Sequence, residues 1–150
     1  MTKTPAKRHS RKDNQVVGNT GLFYVCYELS KRGWNVMPTA RNAKGVDIIA
    51  YNSTATRYIG VQVKALSKKN PVPLGNALDK IMGDFWVIVN NLDGTPGVYV
   101  LKPAEVKERA HAGIGKDGKP SYWLQPKSYM TQEFAEHWER IGEALGLTSA

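Results

Sequence analysis

Cysteine and acidic residues are both scarce in this chain of 150 residues. The single cysteine, Cys26, excludes an internal disulfide framework and any zinc site built on several thiolates. No apolar run approaches the ~18 to 20 residues of a membrane span, and no hydrophobic stretch follows the basic N-terminus as it would in a secretory signal. We therefore expect a cytoplasmic protein that is not exported and has no membrane partner.

The 13 acidic residues are outnumbered by 21 lysines and arginines, which gives a formal net charge of +8. Such an excess favours a polyanionic partner, most often nucleic acid. Residues 1–13 form a basic N-terminal tail, which is interpreted either as a solvated segment or as an arm that follows DNA phosphates. The residues of this tail expected to contact DNA are Arg8, Arg11 and Lys12.

The remaining residues, 14–150, have the composition of one folded domain. Hydrophobic residues make up 41% and charged residues 23% of the chain, close to ordinary globular usage. A domain of this size buries enough surface to fold without a metal or a disulfide.

The domain begins with the pattern of a helix followed by three strands. Within residues 14–32, apolar residues recur at the spacing of one helix face: Leu22, Val25, Cys26 and Leu29. Gly33 predicts the end of this helix. Strands are predicted over 34–38, 46–51 and 57–66. Side chains of the third strand alternate between two faces, and one face carries Tyr58, Gly60, Gln62 and Lys64.

Further helices and strands follow. They are predicted, in chain order, as a short helix over 74–82, strands over 85–89 and 98–101, a helix over 103–109, a Gly/Lys loop over 113–120, an edge strand over 122–124 and an amphipathic helix over 131–145. The last helix belongs to a helical extension over 126–146. The order predicts an α/β or α+β domain with a central mixed sheet flanked by helices.

Asp47, Gln62 and Lys64 form the candidate catalytic cluster. A hairpin between the second and third strands brings a carboxylate, an amide oxygen and an ammonium together. Mg²⁺ prefers oxygen ligands, so the predicted metal ligands are Asp47, Gln62 and the backbone carbonyl of Val63, with Mn²⁺ as a substitute. Lys64 would position the attacking water or offset charge on the attacked phosphate. The alternative is an Asp47 that caps a turn, beside a solvated strand face.

The motif Gly45-Val46-Asp47, followed by Val61-Gln62-Val63-Lys64, resembles that of the PD-(D/E)xK nuclease superfamily. The likeness is to its branch with Gln in the middle position, which includes Mrr-type restriction enzymes; archaeal Holliday junction resolvases share the wider layout. It covers residues 16–106 and implies a restriction-endonuclease-like αβββαβ core. Two positions depart from the pattern: Val46 stands where the family has Pro, and relatives carry Glu after the helix glycine where this chain reads Gly21-Leu22.

The resemblance implies a Mg²⁺-dependent DNA endonuclease that hydrolyses phosphodiester bonds. Such an enzyme would be structure-directed or weakly sequence-specific, would act in DNA repair, recombination or defence, and by analogy would form a homodimer. Further DNA contacts are expected from Lys68, Lys69 and Arg41. The missing helix Glu leaves an alternative open, a catalytically inactive nuclease-fold module that binds DNA or a protein partner, such as an accessory or immunity factor.

Overall fold

A computed structural model describes residues 11–40 and 43–142, with the side chains described from residue 14. The first element is a helix, α1 (Arg11–Lys31), as the apolar spacing predicted. Two residues after its end lies Gly33, whose φ of 92° is in the left-handed region that favours glycine. Cys26 packs in the core beneath this helix.

A mixed five-stranded sheet forms the centre of this α+β fold. Its strands, listed in spatial order, are β1 (Asn35–Pro38), β2 (Ile48–Tyr51), β3 (Tyr58–Ala65), β5 (Phe85–Asn90) and β6 (Gly97–Leu101). Only the pair β3 and β5 is parallel among these neighbours. The five strands lie where the sequence predicted strands, and the predicted helix after β6 is confirmed as α2 (Pro103–Arg109).

Each face of the sheet packs against a different layer. The face toward α1 carries the buried side chains Ile48, Val61, Val87 and Val100. On the opposite face, the β5 and β6 side chains Trp86, Ile88, Tyr99 and Leu101 belong to a second core cluster. Helix α1 lies very close to β3, because a Cβ added at Gly21 would come 2.4 Å from the Cβ of Ala65.

The second core cluster is covered in part by a three-stranded antiparallel sheet. Its spatial order is β4 (Val72–Gly75), β8 (Pro120–Leu124) and β7 (His111–Ile114). The helix predicted over 74–82 is therefore wrong: burial alternates along β4 with a period of two, and a 3₁₀ turn (Leu78–Lys80) follows. The predicted loop over 113–120 is confirmed at 115–119, which joins β7 to β8, and the predicted edge strand is the central strand of this sheet.

The predicted helix over 131–145 is also wrong in its described part. In the helical extension predicted over 126–146, the described residues form only a short helix, α3 (Pro126–Tyr129), and a 3₁₀ turn (Trp138–Ile141), and residues 143–150 lie outside the described part. The intervening chain runs beside β6: Val100 N–H donates to the Phe134 carbonyl and Glu136 N–H to the Val98 carbonyl. Phe134 and Ile141 are buried as expected, but this pairing with a sheet edge, not helical packing, buries the segment.

None of the described helices combines the length and the apolar character that crossing a bilayer requires.

Candidate active site

Asp47 lies just before β2 and is fixed against β3 by two hydrogen bonds. Its backbone N–H donates to the Val61 carbonyl at 2.9 Å, and its carboxylate Oδ2 accepts from the Val63 N–H at 2.7 Å. Ile48 pairs with Val61, and the Asp47 N–H donates to the same Val61 carbonyl, so Asp47 lies just outside the regular pairing of β2 and β3. The structure therefore holds the acid against the backbone of the Gln62-to-Lys64 segment.

The direction of the Val63 peptide groups bears on the predicted metal ligands. In a strand, the N–H and C=O of one residue point toward the same neighbouring strand. Since the Val63 N–H points to Asp47, the Val63 carbonyl faces the same edge of β3. Peptide groups of successive residues point to opposite neighbouring strands, and the Leu66 N–H accordingly donates to the Val89 carbonyl in β5. Val63 thus presents its carbonyl oxygen on the side of Asp47.

Lys64 is the half-buried cation of the cluster. Its Nζ lies 5.2 Å from the centre of the Trp86 ring, close enough for a cation–π interaction. Burial lowers the pKa of Lys64, and the charge of Asp47 opposes that shift. The ammonium is therefore partly dehydrated, and it lies close enough to Asp47 for the charge of that carboxylate to act on it.

Two cavities adjoin the cluster. The larger, about 330 Å³, is lined by Asp47, Thr39 and the α1 residues Gln15, Asn19 and Leu22. The smaller, about 260 Å³, is lined by Gln62, Lys64, Lys44 and Lys80 together with apolar side chains. Residues 43–47 contribute to both. The structure thus brings Asp47 beside Gln62 and Lys64 along the backbone, but the acid and the other two side chains open into different cavities.

Among the described residues, no second carboxylate joins Asp47. Leu22 lines its cavity and offers no ligand. Glu28 is buried and paired with Arg32. The Asp84 carboxylate accepts from the Gly60 N–H at 2.7 Å, at the start of β3. Within the described ranges, no three His, Cys, Asp or Glu side chains lie together as a metal-binding group.

The remaining donors fit a hard divalent cation in type. Asp47 supplies a carboxylate, Val63 a carbonyl and Gln62 an amide oxygen, and Mg²⁺ and Mn²⁺ prefer oxygen ligands. Their summed charge is low, since only Asp47 is anionic. Lys44, Lys64 and Lys80 further oppose a cation and favour an anion in the neighbouring cavity.

The predicted DNA contacts are only partly described. Lys68 and Lys69 are exposed in the loop after β3, beyond Lys64. Arg8 and Arg41 lie outside the described residues, as do the side chains of Arg11 and Lys12. Two cations near the cluster were missed. Lys44, next to Gly45 of the motif, offered a local signal, whereas Lys80 reaches the cavity only through the fold after β4.

Comparison with protein-family models, with curated proteins and with solved structures finds no match to this chain. No relative therefore supplies a function or a site residue, and the chemistry of the residues themselves has to support the assignment.

Proposed function

We propose that the chain is a DNA endonuclease with a restriction-endonuclease-like core, which hydrolyses phosphodiester bonds with Mg²⁺ and is directed by DNA structure or weakly by sequence. The observation that carries the proposal is the 2.7 Å hydrogen bond from Val63 to the Asp47 carboxylate. It fixes an acid beside Gln62 and Lys64, as hydrolysis at a phosphate requires.

The order of elements supports this core in most respects. Helix α1 is followed by three antiparallel strands, and β5 then returns parallel to β3. Where the αβββαβ core has its second helix, this chain has β4 and the 3₁₀ turn Leu78–Lys80. The position of the acid and of Gln-x-Lys is unaffected, because it depends on β2 and β3 alone.

Each residue of the cluster has a distinct role in the proposal. Asp47, Gln62 and Val63 would hold the cation, which when bound would lower the pKa of a water and polarise the phosphate. Lys64 orients the attacked phosphate and offsets its developing charge. The exposed Lys68 and Lys69 bind the DNA backbone beyond the site, so affinity falls as salt rises.

The second candidate is an inactive nuclease-fold module that binds DNA, and a specific observation favours it. Leu22 lines the cavity of Asp47 where an acid would strengthen metal binding, while three lysines line the adjacent cavity. A phosphate can be held there by cations of the protein alone. In this case DNA binding persists without any metal-dependent cleavage.

Nicking of supercoiled, branched and single-stranded DNA with Mg²⁺ or Mn²⁺ separates the two candidates. We expect Asp47→Asn and Lys64→Ala each to lower the cleavage rate by about 10²-fold or more. Lys107→Ala removes an exposed charge on α2 and serves as the matched control, with cleavage unchanged. Equal cleavage by all variants would indicate a contaminant and overturn the nuclease assignment.

A wild-type protein that binds DNA but cuts none of these substrates would favour the inactive module. Leu22→Glu then tests the reason, since it adds a carboxylate to the cavity of Asp47. Phe23→Glu adds the same charge on the solvent side of α1. If the missing acid is what prevents cleavage, Leu22→Glu gains metal-dependent nicking and Phe23→Glu does not.

A further inference from the structure

Among the residues that the structure describes, no layer covers half of one face of the central sheet. Opposite α1, the second core cluster covers β5 and β6, whereas side chains of β1, β2 and β3 on that face stay exposed or half-buried. The strand register places Met37 opposite Ile49 and Tyr51 opposite Tyr58. We call these four residues, together with Gly60, the open face.

The open face is aromatic and apolar although it is exposed. Tyr58 is 58% exposed, Met37 46% and Ile49 37%. The rings of Tyr51 and Tyr58 stack with centres 5.5 Å apart and planes 28° from parallel. Gly60 itself has no side chain, but the Val46 side chain fills the space above it, 3.2 Å from where a Cβ would stand, and so lies between Tyr58 and Gln62. A contiguous apolar patch of this kind marks a binding surface.

The same face becomes cationic toward the end of β3. Tyr58, Gly60, Gln62 and Lys64 alternate onto one side of the strand, which spans about 20 Å between its first and last members. Lys44 and Lys80 lie beside Lys64 around the smaller cavity. This side of β3 therefore has stacked rings at one end and three lysines at the other, with Val46 between them.

We propose that the open face binds single-stranded DNA, with unpaired bases stacked on Tyr58 and Tyr51 and the backbone running toward Lys44, Lys64 and Lys80. Aromatic rings joined to a cationic groove are the combination by which proteins hold single strands. A duplex hides its base faces and cannot use the rings. The net charge of +8 complements the backbone.

This inference rests on the proposed function, because it names the substrate class of the same site: DNA with an unpaired segment next to the bond that is cut. Binding itself needs neither a metal nor cleavage. A binding assay without metal therefore tests the open face separately from the nuclease chemistry.

The test is fluorescence anisotropy of labelled oligo(dT) of about 12 nucleotides, within the usual site size, in EDTA at fixed salt. We expect Tyr58→Ala to weaken binding about tenfold and Tyr58→Phe, which keeps the ring, to retain it. Tyr27→Ala is the matched control: Tyr27 is 59% exposed, but lies on α1 at the other face of the sheet. We expect its affinity to stay within about twofold of wild type.

Two results would overturn the inference. In the first, Tyr58→Ala binds oligo(dT) as wild type does, or a duplex of equal length competes as well as the single strand. In the second, sedimentation shows a dimer that Tyr58→Ala dissociates, which makes a second copy the occupant of the open face. The wild-type protein binds oligo(dT) in EDTA if the inference holds, even if it cuts no substrate. Thermal melts of each variant exclude misfolding as the cause of lost binding.

Discussion

The close approach of α1 to β3 makes a sharp prediction about two glycines of one helix. A Cβ at Gly21 would lie 2.4 Å from the Ala65 Cβ, whereas a Cβ at Gly18 would meet nothing within 4 Å. Both residues are helical, so replacing either by alanine removes the same backbone entropy cost of about 1 kcal/mol. The difference between the two variants therefore isolates the steric contact with β3.

The size of that difference follows from the contact. Overpacking costs about 1–3 kcal/mol, and the upper part of this range applies because a Cβ has no rotamer that could move it away. We expect Gly18→Ala to raise the free energy of unfolding by about 1 kcal/mol. Gly21→Ala should lie about 2–3 kcal/mol below Gly18→Ala, which for this chain length corresponds to roughly 5–10 °C in Tm.

Urea denaturation of the two variants measures this difference. Adding Ala65→Gly to Gly21→Ala removes the opposing Cβ. The double variant should therefore be more stable, by about 1 kcal/mol or more, than the sum of the two single changes in unfolding free energy predicts. Equal stabilisation by Gly18→Ala and Gly21→Ala would refute the close packing of α1 on β3. It would also remove the reason for a glycine next to Leu22 at the candidate site.

Two further predictions concern titrating groups. Burial lowers the pKa of Lys64, so the unfolded chain binds this proton more tightly and wild-type stability rises as pH increases toward the unfolded value of about 10.4. Lys64→Met should remove that rise and add about 1 kcal/mol at pH 7; unchanged pH dependence in urea titrations would contradict this. Burial raises the pKa of Glu105, but hydrogen bonds from Arg140 and Lys102 outweigh it and the net pKa is lowered. This stabilisation is present above about pH 4.3 and is lost as pH falls through the folded pKa. Glu105→Gln should therefore cost about 1–2 kcal/mol at pH 7 and much less in acid, and an equal cost at both pH values would count against the ion pair.

The elements that position the site were predictable because their signals are local. The apolar spacing of α1, the positive φ required at Gly33 and the alternation along β3 each follow from a few neighbouring residues. The same alternation set Gln62 and Lys64 on one face, and the hairpin between β2 and β3 brought Asp47 against the backbone of Val61 and Val63. What the sequence could not show was the split of these side chains between two cavities, which depends on the path of residues 43–47.

The two wrong helix predictions, over 131–145 and 74–82, share a different cause. Phe134, Trp138 and Ile141 have helical spacing, yet Phe134 reaches the core because the chain runs along the open edge of β6. Pairing with a distant strand leaves no periodic trace in the sequence that distinguishes it from an amphipathic helix. The strand β4 was misread for the same reason, since its partner β8 lies far along the chain.

The distribution of charge around the site separates binding from cleavage. Two features limit cation binding at Asp47. The Val63 N–H occupies one of its carboxylate oxygens, and the positive charge of the three nearby lysines weakens the binding of any cation. The same lysines strengthen the hold on a phosphate, and the open face extends that hold to unpaired bases. A DNA strand bound there would add phosphate oxygens and negative charge next to Asp47, which is what the site lacks for a divalent cation. Metal affinity should therefore rise when DNA is bound, and by linkage the metal should tighten DNA binding by the same factor, although DNA also binds without metal.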